Sequence, residues 1–202
     1  YMKMFNAYKA CFDRMGLNYK IVKADTGAMG GLLSEEFQAI CEIGEDTVVQ
    51  CEGCDFSSNL EITEVIDTSE VSDEAELAMN EVETPHAKTI DEVAAFFNKT
   101  ADSFVKTLIY KVDGEFVAFL LKGNRELNET KALKLLQANE IELAAFDDVE
   151  RITKAAVGFA GPVGLGIKIV MDREVAKMKN FIVGANKTNY HIENVNLKDF
   201  KA

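Results

Sequence analysis

The sequence predicts a mixed α/β (α+β) fold in two parts, and three observations carry that expectation. Helix-type and strand-type hydrophobic periods intermix along the 202 residues without the regular βαβ alternation of a doubly wound sheet. A strong hairpin signal stands mid-chain. An acidic stretch, poor in aromatics, divides an N-terminal part from a longer C-terminal one. The 48% hydrophobic content is enough to fill one domain with an appendage, or two small domains.

Taken in order, Met4, Tyr8, Cys11, Phe12 and Met15 recur at spacings of three and four before Gly16, which predicts an amphipathic helix with a glycine stop. Strands are expected at about 19–24, 36–43 and 47–51, with turns at Gly27, Gly30 and Gly31 and at Gly44-Glu45-Asp46. Between Glu61 and Glu83 there are nine acidic residues and no Lys or Arg. A net charge of -12 thus leaves only -3 (-12 plus 9) for the remainder. The stretch from about 58 to 85 reads as a solvated connector ending at Pro85, with a domain boundary near residue 60.

Beyond it, Thr89 with Glu92 forms a capping-box pattern, predicting a helix over 90–98. Two β-rich runs, 104–112 and 115–122, flank Asp113-Gly114, a pair suited to the positive φ angles of a tight hairpin turn. Asn128 is expected to cap a helix to about 137, and Asp147 or Asp148 another to about 155. Further strands are expected near 141–145, 167–171, 181–184 and 190–195.

The charge balance disfavours a whole-surface nucleic-acid binder, because phosphate contacts come chiefly from clustered Lys and Arg. No run of 18 apolar residues and no secretory signal pattern is present, so a cytoplasmic protein without membrane association is expected. The chain begins with Tyr inside a helical pattern, as an excerpt of a longer protein would. Cys11, Cys41, Cys51 and Cys54 are expected to be reduced. Cys51 and Cys54 form a single CxxC without a second ligand pair, so no metal site is expected. Walker A, dinucleotide, Ser-His-Asp, Cys-His and H-E-x-x-H patterns are all missing.

Four stretches resemble bacterial-type prolyl-tRNA synthetases. They are ADTGAMGG with SEEF and GEDTVVQCEGCDFSSN (Ala24 to Asn59), VKTLIYKVDGEFVAFLLKGNRELNETK (Val105 to Lys131), VGFAGPVGL (Val157 to Leu165), and VMDREV with FIVGANKTNYH to His191. The resemblance implies a segment of class II catalytic domain over residues 1–60, followed over 61–202 by the inserted YbaK-type editing domain. That domain is a mixed, partly closed β-sheet flanked by helices. The family commonly has SHEF where this chain has Ser34-Glu35-Glu36-Phe37, so that histidine's role is not carried over. Residues 1–59 lack the arginines of the second and third class II motifs, so amino-acid activation is not expected here.

The implied activity is that of an aminoacyl-tRNA deacylase within a proline–tRNA ligase, hydrolysing alanine wrongly esterified to the proline tRNA. Its chemical need is plain: a pocket built for proline cannot exclude the smaller alanine sterically, and each methylene discriminates by only about 1–3 kcal/mol. No cofactor is implied for editing, while ATP and Mg belong to the full-length synthetase. The implied partners are the acceptor end of tRNA(Pro) carrying alanine and the rest of a homodimeric synthetase. A tRNA-docking module without hydrolytic activity is the alternative.

Lys106 alone reads as a strand-edge surface lysine; the resemblance makes it the central catalytic residue, an ammonium able to bind a phosphate or a developing oxyanion. Gly158-Phe159-Ala160-Gly161-Pro162 is an ordinary helix-to-strand loop or, by resemblance, a backbone cradle for the substrate. His191 becomes a pocket wall, with no base role assigned. Asp172 either caps a turn or meets the substrate's α-amino group. Ile90 and Val93 share a helix face that reads as core and, by resemblance, as the floor against the alanine methyl. Thr107, beside Lys106, completes the substrate-binding set. His86 has no such support.

Overall fold

Helix α1 (Met2–Met15) stops at Gly16, which takes φ 67° and returns its amide to the carbonyl of Asp13, a left-handed cap that glycine adopts without a Cβ penalty. In this computed structural model residues 1–26 and 34–202 are described, and they fall into two units, Tyr1–Val65 and Ile66–Ala202. The turn expected at Gly27, Gly30 and Gly31 lies outside the described residues.

The first unit carries a four-stranded sheet in the order β2-β1-β4-β3, comprising β1 (Tyr19–Ala24), β2 (Ser34–Ala39), β3 (Val48–Gln50) and β4 (Ser57–Asn59). The helix packs through aromatic rings: Phe37 stands 5.4 Å from Phe5, 5.5 Å from Phe12 and 5.7 Å from Tyr19. The strand expected at 36–43 is shorter and earlier. Its antiparallel partner β1 begins at Tyr19 opposite Ala39, and beyond that pair the Ile40 amide bonds to the Asn18 carbonyl at 2.9 Å. Strand β4, a buried Ser-Ser-Asn, was not expected from the sequence; it pairs with both β1 and β3.

The second unit has two sheets. One is four-stranded, β8-β6-β7-β9, with β6 (Val105–Val112), β7 (Glu115–Lys122), β8 (Ile141–Leu143) and β9 (Lys168–Met171). Asp113 and Gly114, at φ 46° and 89°, make the two-residue turn between β6 and β7. The other sheet, β10-β11-β5, joins β5 (Asn80–Glu83), β10 (Phe181–Gly184) and β11 (Tyr190–Val195). A parallel bridge between Phe104 and Ile182 ties the two sheets together and partly closes the fold. Between them lies a core that includes Val105, Leu120, Phe181, Val183 and Val195.

Helix α2 (Ile90–Phe97) opens with the expected capping box: Thr89 Oγ1 accepts from the Glu92 amide, and Glu92 accepts from the Thr89 amide at 3.0 Å. Helix α3 (Glu129–Leu136) is capped by Asn128. Helix α4 (Phe146–Thr153) corrects the sequence reading. Ala145 is its N-cap and no side chain caps it, while Asp147 and Asp148 sit in the first turn, where they favour the positive end of the helix dipole. No described helix is long and apolar enough to cross a membrane.

The acidic stretch is more than a connector. Ser72 donates its amide to the Lys177 carbonyl, Leu77 donates to Asn180 Oδ1 at 2.9 Å, and Asn180 Nδ2 donates to the Ala75 carbonyl at 2.9 Å. Asp67 pairs with Lys177 at 2.8 Å, Glu81 with Lys187 at 2.6 Å, and Glu76 with Lys198. From Ile66 onward the stretch lies strapped to the rest of the second unit, and it becomes β5 at its end, pairing with β11.

Candidate active site

Strand β6 carries the site because the two sheets diverge along its outer edge. Strand β8 covers that edge only at Tyr110–Val112, with one more bond from the Ala144 amide to the Ile109 carbonyl at 3.0 Å. The bridge to β10 touches it at Phe104. The interval opens into a cavity of about 250 Å³. Its walls come from α2 (Ile90, Val93), β6 (Lys106, Thr107), the loop after α4 (Gly158, Ala160), β10 (Ile182, Val183) and β11 (His191), with Lys88 at the start of α2.

Seven of the residues proposed from the sequence meet there: Lys106, Thr107, Ile90, Val93, Gly158, Ala160 and His191. Lys106 is mostly buried along its stem, and its Nζ donates to Glu126 Oε1 at 2.7 Å, while Glu126 is 89% exposed. An ammonium held by one exposed carboxylate can exchange that partner for an incoming anion, since such pairs add little stability. His191 is 5% exposed. Its Nδ1 lies 2.7 Å from Thr84 Oγ1, itself fully buried, and Phe159 meets its ring edge-on at 5.5 Å. Burial pushes the imidazole down to about 4, so it stands neutral at physiological pH.

Phe159, Gly161 and Pro162 stand behind the cavity wall and do not line it. Phe159 is fully buried against His191. Gly161 packs against the β10 backbone: a Cβ on Gly161 would run into the carbonyl of Gly184, and one on Gly184 into the backbone of Phe159 and Ala160. Gly158, at φ 103°, backs onto Lys88. Asp172 also lies outside the cavity lining. Its carboxylate accepts from the Glu174 amide at 2.8 Å, and its own amide donates to the Leu120 carbonyl. This is the turn-capping arrangement left open by the sequence.

Two residues that hold the site together escaped the sequence reading. Asn186, at φ 50°, accepts from the Gly161 amide at 2.8 Å and donates to the carbonyls of Gly161 at 2.9 Å and Val163 at 3.0 Å. Its own amide donates to the Phe159 carbonyl. Thr84 sets the histidine's Nδ1. The sequence signal for Asn186 was its place directly after the Gly184-Ala185 strand end, where asparagine tolerates a left-handed turn; Thr84 gave none.

No group of three or more His, Cys, Asp or Glu able to hold a metal ion occurs among the described residues, and the four cysteines are exposed free thiols. What remains is a small, largely apolar recess with a cation at its mouth, a neutral imidazole and a backbone loop on its walls. That chemistry suits positioning a small acyl group for attack by water, with no covalent nucleophile.

The family model described as aminoacyl-tRNA editing domain matches residues 84–202, and the chain belongs to that family. Over its whole length it is similar to proline–tRNA ligases: 54% identical over 201 residues to that of Caldicellulosiruptor saccharolyticus and 51% to that of Caldicellulosiruptor bescii. It spans 35% of the length of each of these relatives. Among solved structures, a candidate trans-editing enzyme for prolyl tRNA synthetase has the same fold over 58% of this chain and 76% of its own, with a TM-score of 0.52 at 21% identity.

Proposed function

We propose that the chain hydrolyses the ester bond of alanine mischarged onto tRNA(Pro), as the editing part of a proline–tRNA ligase. The observation that carries this reading is the cavity that gathers Lys106, Ile90, Val93, Thr107, Gly158, Ala160 and His191. At about 250 Å³ it falls below the ~300–1,000 Å³ range of ordinary small-molecule pockets, which suits an acyl group as small as alanyl. Ile90 and Val93 meet the methyl. Lys106 exchanges Glu126 for the terminal phosphate or the developing oxyanion. The Gly158–Pro162 loop, braced by Asn186, orients the ester. Water adds to the ester carbonyl, the bond to the terminal ribose oxygen breaks, and alanine and free tRNA leave.

In this reading the first unit is a segment of a class II catalytic domain. ATP and Mg serve only the full-length, homodimeric, cytoplasmic synthetase, and editing needs no cofactor. The test is deacylation by the purified chain of Ala-tRNA(Pro) against Pro-tRNA(Pro). The alanyl ester should be lost selectively, and Lys106→Ala should abolish the turnover. An unchanged rate in that variant would sink the assignment, and salt-dependent tRNA binding without any hydrolysis would select a docking module.

A further inference from the structure

The hydroxyl of Thr107 is an exception to the rule that buried polar groups are paired. The residue is 9% exposed and lines the cavity, yet its Oγ1 is buried with no hydrogen-bond partner among the described residues. An orphaned hydroxyl costs stability that a valine of the same shape would not, so its retention asks for a ligand.

The backbone at the same residue points the same way. In the β6–β7 hairpin, Val112 and Glu115 close the two-residue turn, and the Gly123 amide reaches the Phe104 carbonyl at 2.8 Å. Even-numbered peptide groups of β6 therefore face β7, and odd-numbered ones face the opposite edge. There Asp113 donates to the Glu140 carbonyl and Ile109 accepts from Ala144, but β8 goes no further. The Thr107 carbonyl thus looks into the opening where β8 has ended. The Thr107 side chain stands in the cavity wall and its carbonyl on the uncovered edge beside it, two acceptors on one residue. The charged side chains lining the cavity are Lys88 and Lys106, neither of which can accept a hydrogen bond.

We infer that Thr107, through its Oγ1 and its main-chain carbonyl, is the subsite for the α-amino group of the esterified amino acid. This rests on the deacylase reading above and adds to it the recognition of the acyl group as an amino acid. The amino group donates to both oxygens, and the ester carbonyl is thereby turned toward the Gly158–Ala160 side of the cavity.

The test is a chemical double-mutant cycle on this chain. Wild type, Thr107→Val and Thr107→Ser are assayed against alanyl-tRNA(Pro) and against the propionyl ester of the same tRNA, which differs only in lacking the amino group. Thr107→Val should lower kcat/KM for the alanyl ester by roughly tenfold, the loss of one hydrogen bond of ~1 kcal/mol or slightly more. It should change the propionyl rate less than about twofold, a difference within assay scatter. Thr107→Ser should restore most of the alanyl rate, and Thr107→Val should melt no lower than wild type.

Equal losses on the two esters, or no loss on the alanyl ester, would overturn the subsite while leaving the deacylase intact. If wild type turns over neither ester, the deacylase reading falls and the subsite with it.

Discussion

Replacing Asn186 with alanine should loosen the substrate loop, and the size of the effect can be worked from the structure. Three side-chain hydrogen bonds of 2.8–3.0 Å would be lost, to both polar groups of the Gly161 peptide unit's residue and to the Val163 carbonyl. At a net ~1 kcal/mol each these amount to about 3 kcal/mol. The left-handed φ of 50° adds strain, since alanine lacks the local hydrogen bonds that let asparagine sit there, at about 1 kcal/mol. The expected destabilisation of the second unit is therefore about 4 kcal/mol, softened where water reaches the freed carbonyls. Urea unfolding followed by a signal from this unit, alongside deacylation of the alanyl ester, provides the readout. Asn186→Asp should lie between, keeping the acceptor for the Gly161 amide while setting a carboxylate against two carbonyls. If Asn186→Ala unfolds within 0.5 kcal/mol of wild type, about the noise of a surface substitution, the side chain does not brace the loop.

Gly161→Ala should be damaging as well, by about 3 kcal/mol, because its Cβ falls into the Gly184 carbonyl, a backbone group that cannot swing aside; an unchanged urea midpoint would refute the close packing. The depressed His191 pKa predicts pH-dependent stability. Its contribution is fully present above the ordinary value of 6.5 and is lost as pH falls toward about 4, a total of about 3 kcal/mol. The carboxylates held low by their partners, such as Glu92 by the amides of Thr89 and Lys88, lose their contribution only below their ordinary 4.5. Unfolding between pH 6.5 and 4.5 therefore isolates the histidine, and a flat profile there would contradict its neutral burial. Glu126→Gln should leave stability within about 0.5 kcal/mol, as expected for an exposed partner, while tightening tRNA binding by freeing Lys106; weaker binding would mean that Glu126 positions the lysine.

What the sequence revealed and concealed divides by the range of the forces involved. The Asp113-Gly114 turn, the Thr89 capping box and the glycine after α1 depend on a few neighbouring residues, and each formed as read. Strand β4 is Ser-Ser-Asn and no local preference favours it; it is a strand because β1 and β3 hold both its edges. Strand β5 lies in acidic sequence with three of its four residues exposed, and only its pairing with β11 makes it extended. The cavity divides likewise. Ile90, Val93, Lys106 and Thr107 are named as site residues from the sequence, whereas Phe104, Ile182 and Val183 are not; a bridge spanning 78 residues sets them beside the opening.

The same distinction recasts the acidity. Composition speaks to whether a segment can bury apolar surface, and by that measure residues 66–79 should stay solvated. Hydrogen bonding to the side chains of a neighbouring surface is another route to order, and it is the one taken: Asn180 and Asn194 donate to the carbonyls of Ala75 and Ala78, and Lys177 and Lys179 to those of Ser69 and Glu74. The strap's carboxylates Asp67, Glu76 and Glu81 then face Lys177, Lys198 and Lys187. Three of the nine acidic residues between Glu61 and Glu83 are thereby set against the chain's own lysines, and the charged side chains lining the cavity are cations, Lys88 and Lys106. A net charge of -12 is therefore no obstacle to a phosphate at that opening, because short-range pairing and screening over ~8 Å confine each charge to its own neighbourhood.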